Sequence, residues 1–144
     1  MKRINPRRSE RGTQILELAI VLPLLVFMAL VVSEGAGFIR AHQVMNNAAR
    51  EGARFSVQPE NSGNPAAVVP VVVSYATENG VPISDANVTV DQTLYIPTPS
   101  GISISASRVT VTYAYPLTYL PGLSGFGVPA TIPLTAYAEF RNFY

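Results

Sequence analysis

The N-terminal third of the chain is dominated by one uninterrupted apolar run. The run Ile15–Val32 is eighteen residues long, and Glu17 is its only charged residue. As a helix rising 1.5 Å per residue it would span about 27 Å, close to the ~30 Å hydrocarbon core of a bilayer. The pattern therefore predicts a single membrane-spanning helix.

Helical spacing continues beyond this run, to residue 57. In residues 36–57 apolar and small residues recur at helical intervals, with polar residues between them. The predicted helix-packing residues are Pro23, Glu34 and four small residues that are expected to allow close packing, Ala48, Ala49, Gly52 and Ala53. Their partner could be the chain's own C-terminal part or a neighbouring subunit, and the pattern leaves both open.

Residues 13–57 are thus predicted to form one helix about 65 Å long. Pro23 lies within it and would bend or loosen it, because proline deletes a backbone hydrogen bond.

Residues 66–144 are predicted to form a small domain. Residues 58–65 are rich in Pro, Asn and Gly and are expected to form a linker. A short helix should follow and end at Asn79-Gly80. Because Pro70 lies inside this pattern, the helix begins either at Ala66 or at Pro70.

From residue 88 onward the apolar period changes to two, which is typical of half-buried strands. The parity of the apolar positions switches between Ala106 and Val109, and this predicts a bulge near Ser107–Arg108. The expected fold class is α+β: a long N-terminal transmembrane helix, then one short helix and a small antiparallel sheet of three or four strands.

Composition argues against several classes of function. Only 13% of residues are charged, against about 25% in ordinary soluble domains. A disordered or nucleic-acid-binding protein would have the opposite balance. The chain has no Cys and one His, so it has no thiolate nucleophile and no Cys/His metal cluster. We therefore expect no enzyme activity, no cofactor, no metal and no nucleic-acid partner.

Charge is concentrated at the N-terminus. Five of the ten basic residues lie in residues 1–12, directly before the apolar run. The positive-inside rule then places residues 1–12, a basic leader, in the cytoplasm and the C-terminal part outside.

Three interpretations of this segment remain open. It could be a plain signal anchor, or a secretory signal peptide cleaved near Gly35–Gly37, although Glu34 and the long apolar run count against cleavage there. In the third, cleavage after Gly12 frees the amino group of Thr13 one helical turn from Glu17. Such an amine would compensate a carboxylate that costs about 2–4 kcal/mol in lipid.

In this third interpretation the chain resembles a type IV prepilin, and more narrowly the TadE-like pseudopilins, minor pilins of the tight-adherence (Tad/Flp) pilus. The resemblance rests on Arg11-Gly-Thr-Gln-Ile-Leu-Glu-Leu-Ala-Ile-Val-Leu-Pro23, on Glu34 near the end of the span, and on Asn47-Ala-Ala-Arg-Glu-Gly-Ala-Arg54. It implies that Gly12 and Thr13 flank the bond cut by a prepilin peptidase, and that Glu17 is the assembly glutamate.

The resemblance also implies partners and a location. The partners would be the prepilin peptidase, other pilin subunits in a homo- or hetero-oligomer, the assembly platform and the lipid of the bacterial inner membrane. The chain would pass from that membrane to a pilus at the cell surface, where such filaments serve adhesion and biofilm formation. The alternative function is a periplasmic or extracellular binding or adhesion module on an uncleaved signal anchor.

Overall fold

One helix, α1 (Pro6–Ser56), accounts for 51 of the residues and continues from the apolar run into the C-terminal domain. In the computed structural model the described residues are 6–98, 101, 103–119, 125 and 127–142, with side chains described from Thr13 onward. The expected α+β class is confirmed. After α1 come α2 (Pro65–Glu78) and the strands β1 (Val88–Pro97), β2 (Ser103–Pro116) and β3 (Thr131–Arg141), and single 3₁₀ turns lie at Pro59–Asn61 and Asp85–Asn87.

The three strands form one antiparallel sheet in the order β1-β2-β3. Alternate residues of β2 and β3 are buried on the face that packs against the helices; the fully or largely buried ones are Val109, Val111, Leu134, Ala136 and Ala138. The opposite face carries polar residues, including the ion pair between Arg108 and Glu139. Parity along the strands predicted this division correctly, because one face of the sheet is solvated.

The predicted bulge lies in β1, not in β2. Asp91 pairs with Arg108, but the next paired residue of β1 is Leu94, which lies opposite Ala106. The strand β1 therefore has one extra residue opposite Ser107, whereas the pairing of β2 with β3 is continuous through this region. The parity switch in β2 is real, since Ala106 and Val109 lie on opposite faces, but the extra residue that accommodates it belongs to the neighbouring strand.

The helix α2 is continuous from Pro65 and passes through Pro70 without a break. Pro70 is exposed, and so is Ala66, whose carbonyl would have accepted the hydrogen bond that a proline cannot donate. That carbonyl can therefore bond to water. Three residues at intervals of four, Val68, Val72 and Ala76, are completely buried and form the face that packs inward.

The second half of α1 lies at the centre of the domain. It packs against α2 and against β2 and β3, and it contributes Ala41, Met45, Ala48, Ala49 and Ala53 to one hydrophobic cluster with residues from α2 and all three strands. Residues 58–65 are tied down as well, because the Asn61 side chain donates a 2.9 Å hydrogen bond to the carbonyl of Phe55. The domain therefore includes the C-terminal half of α1 as a structural element.

A buried polar network closes the end of the domain where α1 terminates. Gln92 lies in the bulge of β1. Its Nε2 donates hydrogen bonds to the Ser56 hydroxyl at 3.0 Å and to the Asn61 carbonyl at 2.9 Å. Nearby, the Ser107 hydroxyl donates to Oδ1 of Asn142 at 2.8 Å. The bulge thus aims an amide at the last turn of α1, where carbonyl groups lack helical partners.

Gly52 lies where α1 closely approaches α2 and β2. A Cβ at this position would meet a side-chain methyl of Val72 in α2 and would lie 3.3 Å from Cγ1 of Val109 in β2. Both valines are completely buried and β-branched, so neither can move aside easily.

We expect Gly52→Ala to lower the free energy of unfolding of the domain by about 1–3 kcal/mol, the usual cost of overpacking. Gly35→Ala is the matched control, because nothing lies within 4 Å of its added methyl group and alanine is the better helix former by about 1 kcal/mol. Thermal unfolding of the detergent-solubilised chain measures both. Equal or higher stability of the Gly52 variant would contradict the packing described here.

Candidate functional site

The first half of α1 is bare apolar surface. From Ile15 to Val32 the large apolar side chains are exposed, with fractions between 41% for Val21 and 71% for Ile20. The sole half-buried residue of this run is Leu30. Exposing each such side chain to water costs about 1.5–3 kcal/mol relative to burying it. A run of this length therefore requires lipid or other apolar helices around it.

By length and composition this helix can cross a membrane, and none of its most apolar window is buried within the chain. Burial would have indicated the core helix of a soluble protein, so that explanation does not apply. A signal peptide cut near Gly35–Gly37 fits poorly, because those residues lie inside α1 and cleavage there would remove Glu34 from the domain that it helps to hold.

The predicted processing and assembly residues lie on this bare half. Gly12 and Thr13 are within α1, and Glu17 follows Thr13 by four residues, which places the two on one face of the helix. Glu17 and Pro23 are exposed, and among the side chains described from residue 13 onward Glu17 has no ion-pair partner. The geometry leaves this carboxylate open to another molecule.

The four small residues among the predicted helix-packing residues lie on the other half and face the chain's own domain. Ala48, Ala49 and Ala53 are completely buried there, and Gly52 contacts α2 and β2. Within one copy of the chain these small residues therefore let the sheet and α2 approach α1 closely. Their surface is already covered, which leaves the bare half of α1 as the part available to a neighbouring helix.

Glu34 lies on α1 between the bare apolar half and the half that packs in the domain. Its side chain is 5% exposed. Its Oε1 accepts a 3.1 Å hydrogen bond from the backbone N–H of Thr118, and Oε2 accepts a 2.7 Å bond from that of Tyr119. The segment after β2 is thus bonded to α1 two residues beyond the apolar run. Sequence analysis placed Glu34 among the packing residues but did not identify these partners, which are 84 and 85 residues away along the chain.

Tyr115 completes this arrangement. Its ring meets that of Phe38 edge to face at a centroid distance of 5.7 Å, and Gly37 leaves room for its hydroxyl group. Burial, followed by a hydrogen bond to Glu34 and the charge of that carboxylate, raises the pKa of Tyr115 above its ordinary value of 10.0. The phenol therefore stays protonated and can donate to Glu34.

The described residues hold no group of three or more His, Cys, Asp and Glu side chains placed to bind a metal ion. Asp91, which lies beside the bulge of β1, accepts 2.8 Å hydrogen bonds from the backbone N–H and the hydroxyl of Thr93. These two bonds lower the pKa of Asp91. This carboxylate therefore stabilises the local backbone turn.

We expect Tyr115→Phe to destabilise the domain by about 1–2 kcal/mol at neutral pH, because it removes a hydrogen bond to a charged acceptor. Since the folded state raises the pKa of Tyr115, the contribution of the hydroxyl is complete below about pH 10 and is lost as the pH rises through the raised value. The stabilities of the parent chain and the variant should therefore converge in alkaline solution.

Thermal unfolding of both proteins from neutral to strongly alkaline pH measures this convergence. Tyr137→Phe is the control, because Tyr137 is 63% exposed on the outer face of the sheet. A stability difference between Tyr115→Phe and the parent that does not change with pH would contradict the proposed bond.

Comparison with known proteins bears on α1 alone. Residues 12–54 match the family described as TadE-like protein. No curated protein and no solved structure matches the chain. The matched segment begins at Gly12, includes Glu17 and Glu34, and ends two residues before α1 does. The sequence resemblance is thereby confirmed for this segment, and a pilus-related, membrane-anchored protein fits both the match and the bare apolar helix.

Proposed function

We propose that this chain, whose residues 12–54 are TadE-like, is a minor pilin: a non-enzymatic structural subunit for assembly of a Tad-type pilus. The observation that carries the proposal is the division of α1 into two halves. One half is bare and apolar, and the other is the core of a folded domain, with no break between them. A subunit that bundles through its N-terminal helix and displays a domain outward needs this arrangement.

Insertion would leave the basic leader inside the cell and the domain outside. A prepilin peptidase would then cut between Gly12 and Thr13. Because a protease binds extended backbone, the first turns of α1 must open at this site. Glycine favours that opening, since it is about 1 kcal/mol less favourable than alanine within a helix.

The new amino group of Thr13 would lie near the carboxylate of Glu17, on the same helix or on a neighbouring one. In a bundle of apolar helices an unpaired carboxylate is costly, so a subunit whose Glu17 meets an ammonium group is favoured over one out of register. The exposed position of Glu17 supports this role, because its side chain is not occupied by the chain's own domain.

A domain of about 85 residues beyond the helix supports a minor or initiating subunit, because the major pilins of this system, by family resemblance, are much shorter. Association with lipid, with other pilin subunits and with the assembly platform follows from the same proposal. Adhesion and biofilm formation would be properties of the assembled pilus.

We expect the chain recovered from membranes of a bacterium with a Tad-type prepilin peptidase to begin at Thr13. Intact mass and N-terminal sequencing measure this. Gly12→Val should retain Met1, as should the parent chain in a strain without the peptidase, whereas Gly35→Ala should be processed normally. An intact Met1 in the parent, or a start near Phe38, would contradict the proposal and favour an anchored or secreted binding module.

We expect Glu17→Ala to reduce the amount of this chain in sheared pili by at least about tenfold, which corresponds to the loss of only 1.4 kcal/mol per contact. The control is Glu51→Ala, since Glu51 is exposed on the half of the same helix that packs in the domain. Immunoblots of pilus and membrane fractions measure both. Normal incorporation of the Glu17 variant would show that the pairing mechanism is wrong.

A further inference from the structure

The segment that follows β2, Leu117–Tyr119, is hydrogen-bonded to Glu34, close to the end of the apolar run of α1. We propose that this segment rests in the lipid headgroup layer of the membrane that α1 crosses, with Tyr119 as its lipid-facing anchor. The proposal rests on the membrane span assumed in the proposed function, but it does not depend on peptidase processing or pilus assembly.

The level of the segment relative to the membrane follows from its bonds to Glu34. Glu34 is two residues beyond the last residue of the apolar run, which corresponds to about 3 Å along the helix axis. Helical side chains tilt toward the N-terminus of their helix, which here is toward the membrane. The backbone N–H groups of Thr118 and Tyr119 lie 3.1 and 2.7 Å from the carboxylate oxygens, so this backbone is level with the end of the apolar run.

The burial of α1 gives a second, independent indication of the same level. Leu30 is half-buried, whereas the large apolar residues before it are exposed. Leu30 and Glu34 are four residues apart and lie on one face of α1, the face that continues through Phe38 and Ala41 into the core. The rest of the chain therefore begins to bury α1 within the last turn of the apolar run, and not only after the run has ended.

The chemistry of this end of the domain suits a headgroup layer. Residues 109–138 contain no charged side chain. The nearest charged residues on β2 and β3 are Arg108 and Glu139, which form an ion pair with each other. Arg108 precedes Pro116 by eight residues, which corresponds to about 27 Å along the strand.

Tyr119 itself is 54% exposed. It has an amphipathic ring of the type that is enriched where a protein crosses the membrane–water interface. Its attachment to Glu34 uses the backbone N–H and leaves the side chain free for lipid.

Single-cysteine variants test the proposal directly, because the chain contains no cysteine of its own. An environment-sensitive fluorophore is attached to the single cysteine of Tyr119→Cys, Tyr137→Cys or Met28→Cys. Each labelled full chain is reconstituted in vesicles of phosphatidylethanolamine and phosphatidylglycerol. Nitroxides on lipid headgroups or on acyl chains serve as quenchers. Tyr137 is the matched control, since it is similarly exposed at 63% but lies on the outer face of the sheet, and Met28 reports the span itself.

We expect headgroup nitroxides to quench position 119 at least about twofold more than position 137, as befits a side chain at headgroup level. Acyl-chain nitroxides should quench position 28. If position 28 is quenched while positions 119 and 137 behave alike, the inference is overturned and the membrane span stands. If position 28 is not quenched, both the span and the inference fail.

A second copy of the chain is the competing occupant of this surface. In that case headgroup quenching at position 119 would fall as the protein-to-lipid ratio rises, and quenching at position 137 would not change in parallel. Such a result would overturn the assignment to lipid. Quenching at position 119 that is independent of this ratio supports it.

Discussion

The structure depends on one constraint: a single continuous helix must satisfy two different surroundings. Over Ile15–Val32 the side chains of α1 are large, apolar and exposed, as lipid or neighbouring helices require. Over Ala41–Ala53 the residues on the face turned toward the domain are mostly small and are buried, as a close approach by α2 and the sheet requires. The change from large to small residues along one helix therefore determines where the exposed apolar half ends and the domain begins.

Glu34 lies at this change, and its chemistry suits the position. A carboxylate left without a partner is costly in the apolar run and in the domain core alike. Bonds from two backbone N–H groups and a protonated tyrosine satisfy both oxygens and connect the far end of the sheet to the helix. The domain is thus fixed to α1 by polar groups at the end next to the apolar run, and along its length by packing.

Much of this could be predicted from the sequence because it depends on local pattern. The period of the apolar residues indicated α1, α2 and the three strands, and the parity switch after Ala106 indicated an irregularity in the sheet. The apolar pattern of β2 alone could not say which strand holds the extra residue, because a parity switch also arises when a regular strand buries residues first on one face and then on the other. The partners of Glu34 and the contacts of Gln92 with Ser56 and Asn61 join residues far apart in the chain, and no local pattern identifies such pairs. The processing and assembly roles of Gly12, Thr13 and Glu17 stay predictions.

The absence of any break in α1 between Glu17 and Glu34 has a consequence for the direction from which a neighbour can bind. Successive residues of an α-helix are rotated by about 100° about its axis, so the seventeen residue steps from Glu17 to Glu34 leave Glu17 about a quarter turn away from the side on which the domain lies. A partner that binds Glu17 therefore approaches beside the domain and not beneath it. If subunits join through Glu17 as proposed, this fixed azimuth would restrict how their domains are arranged around a filament.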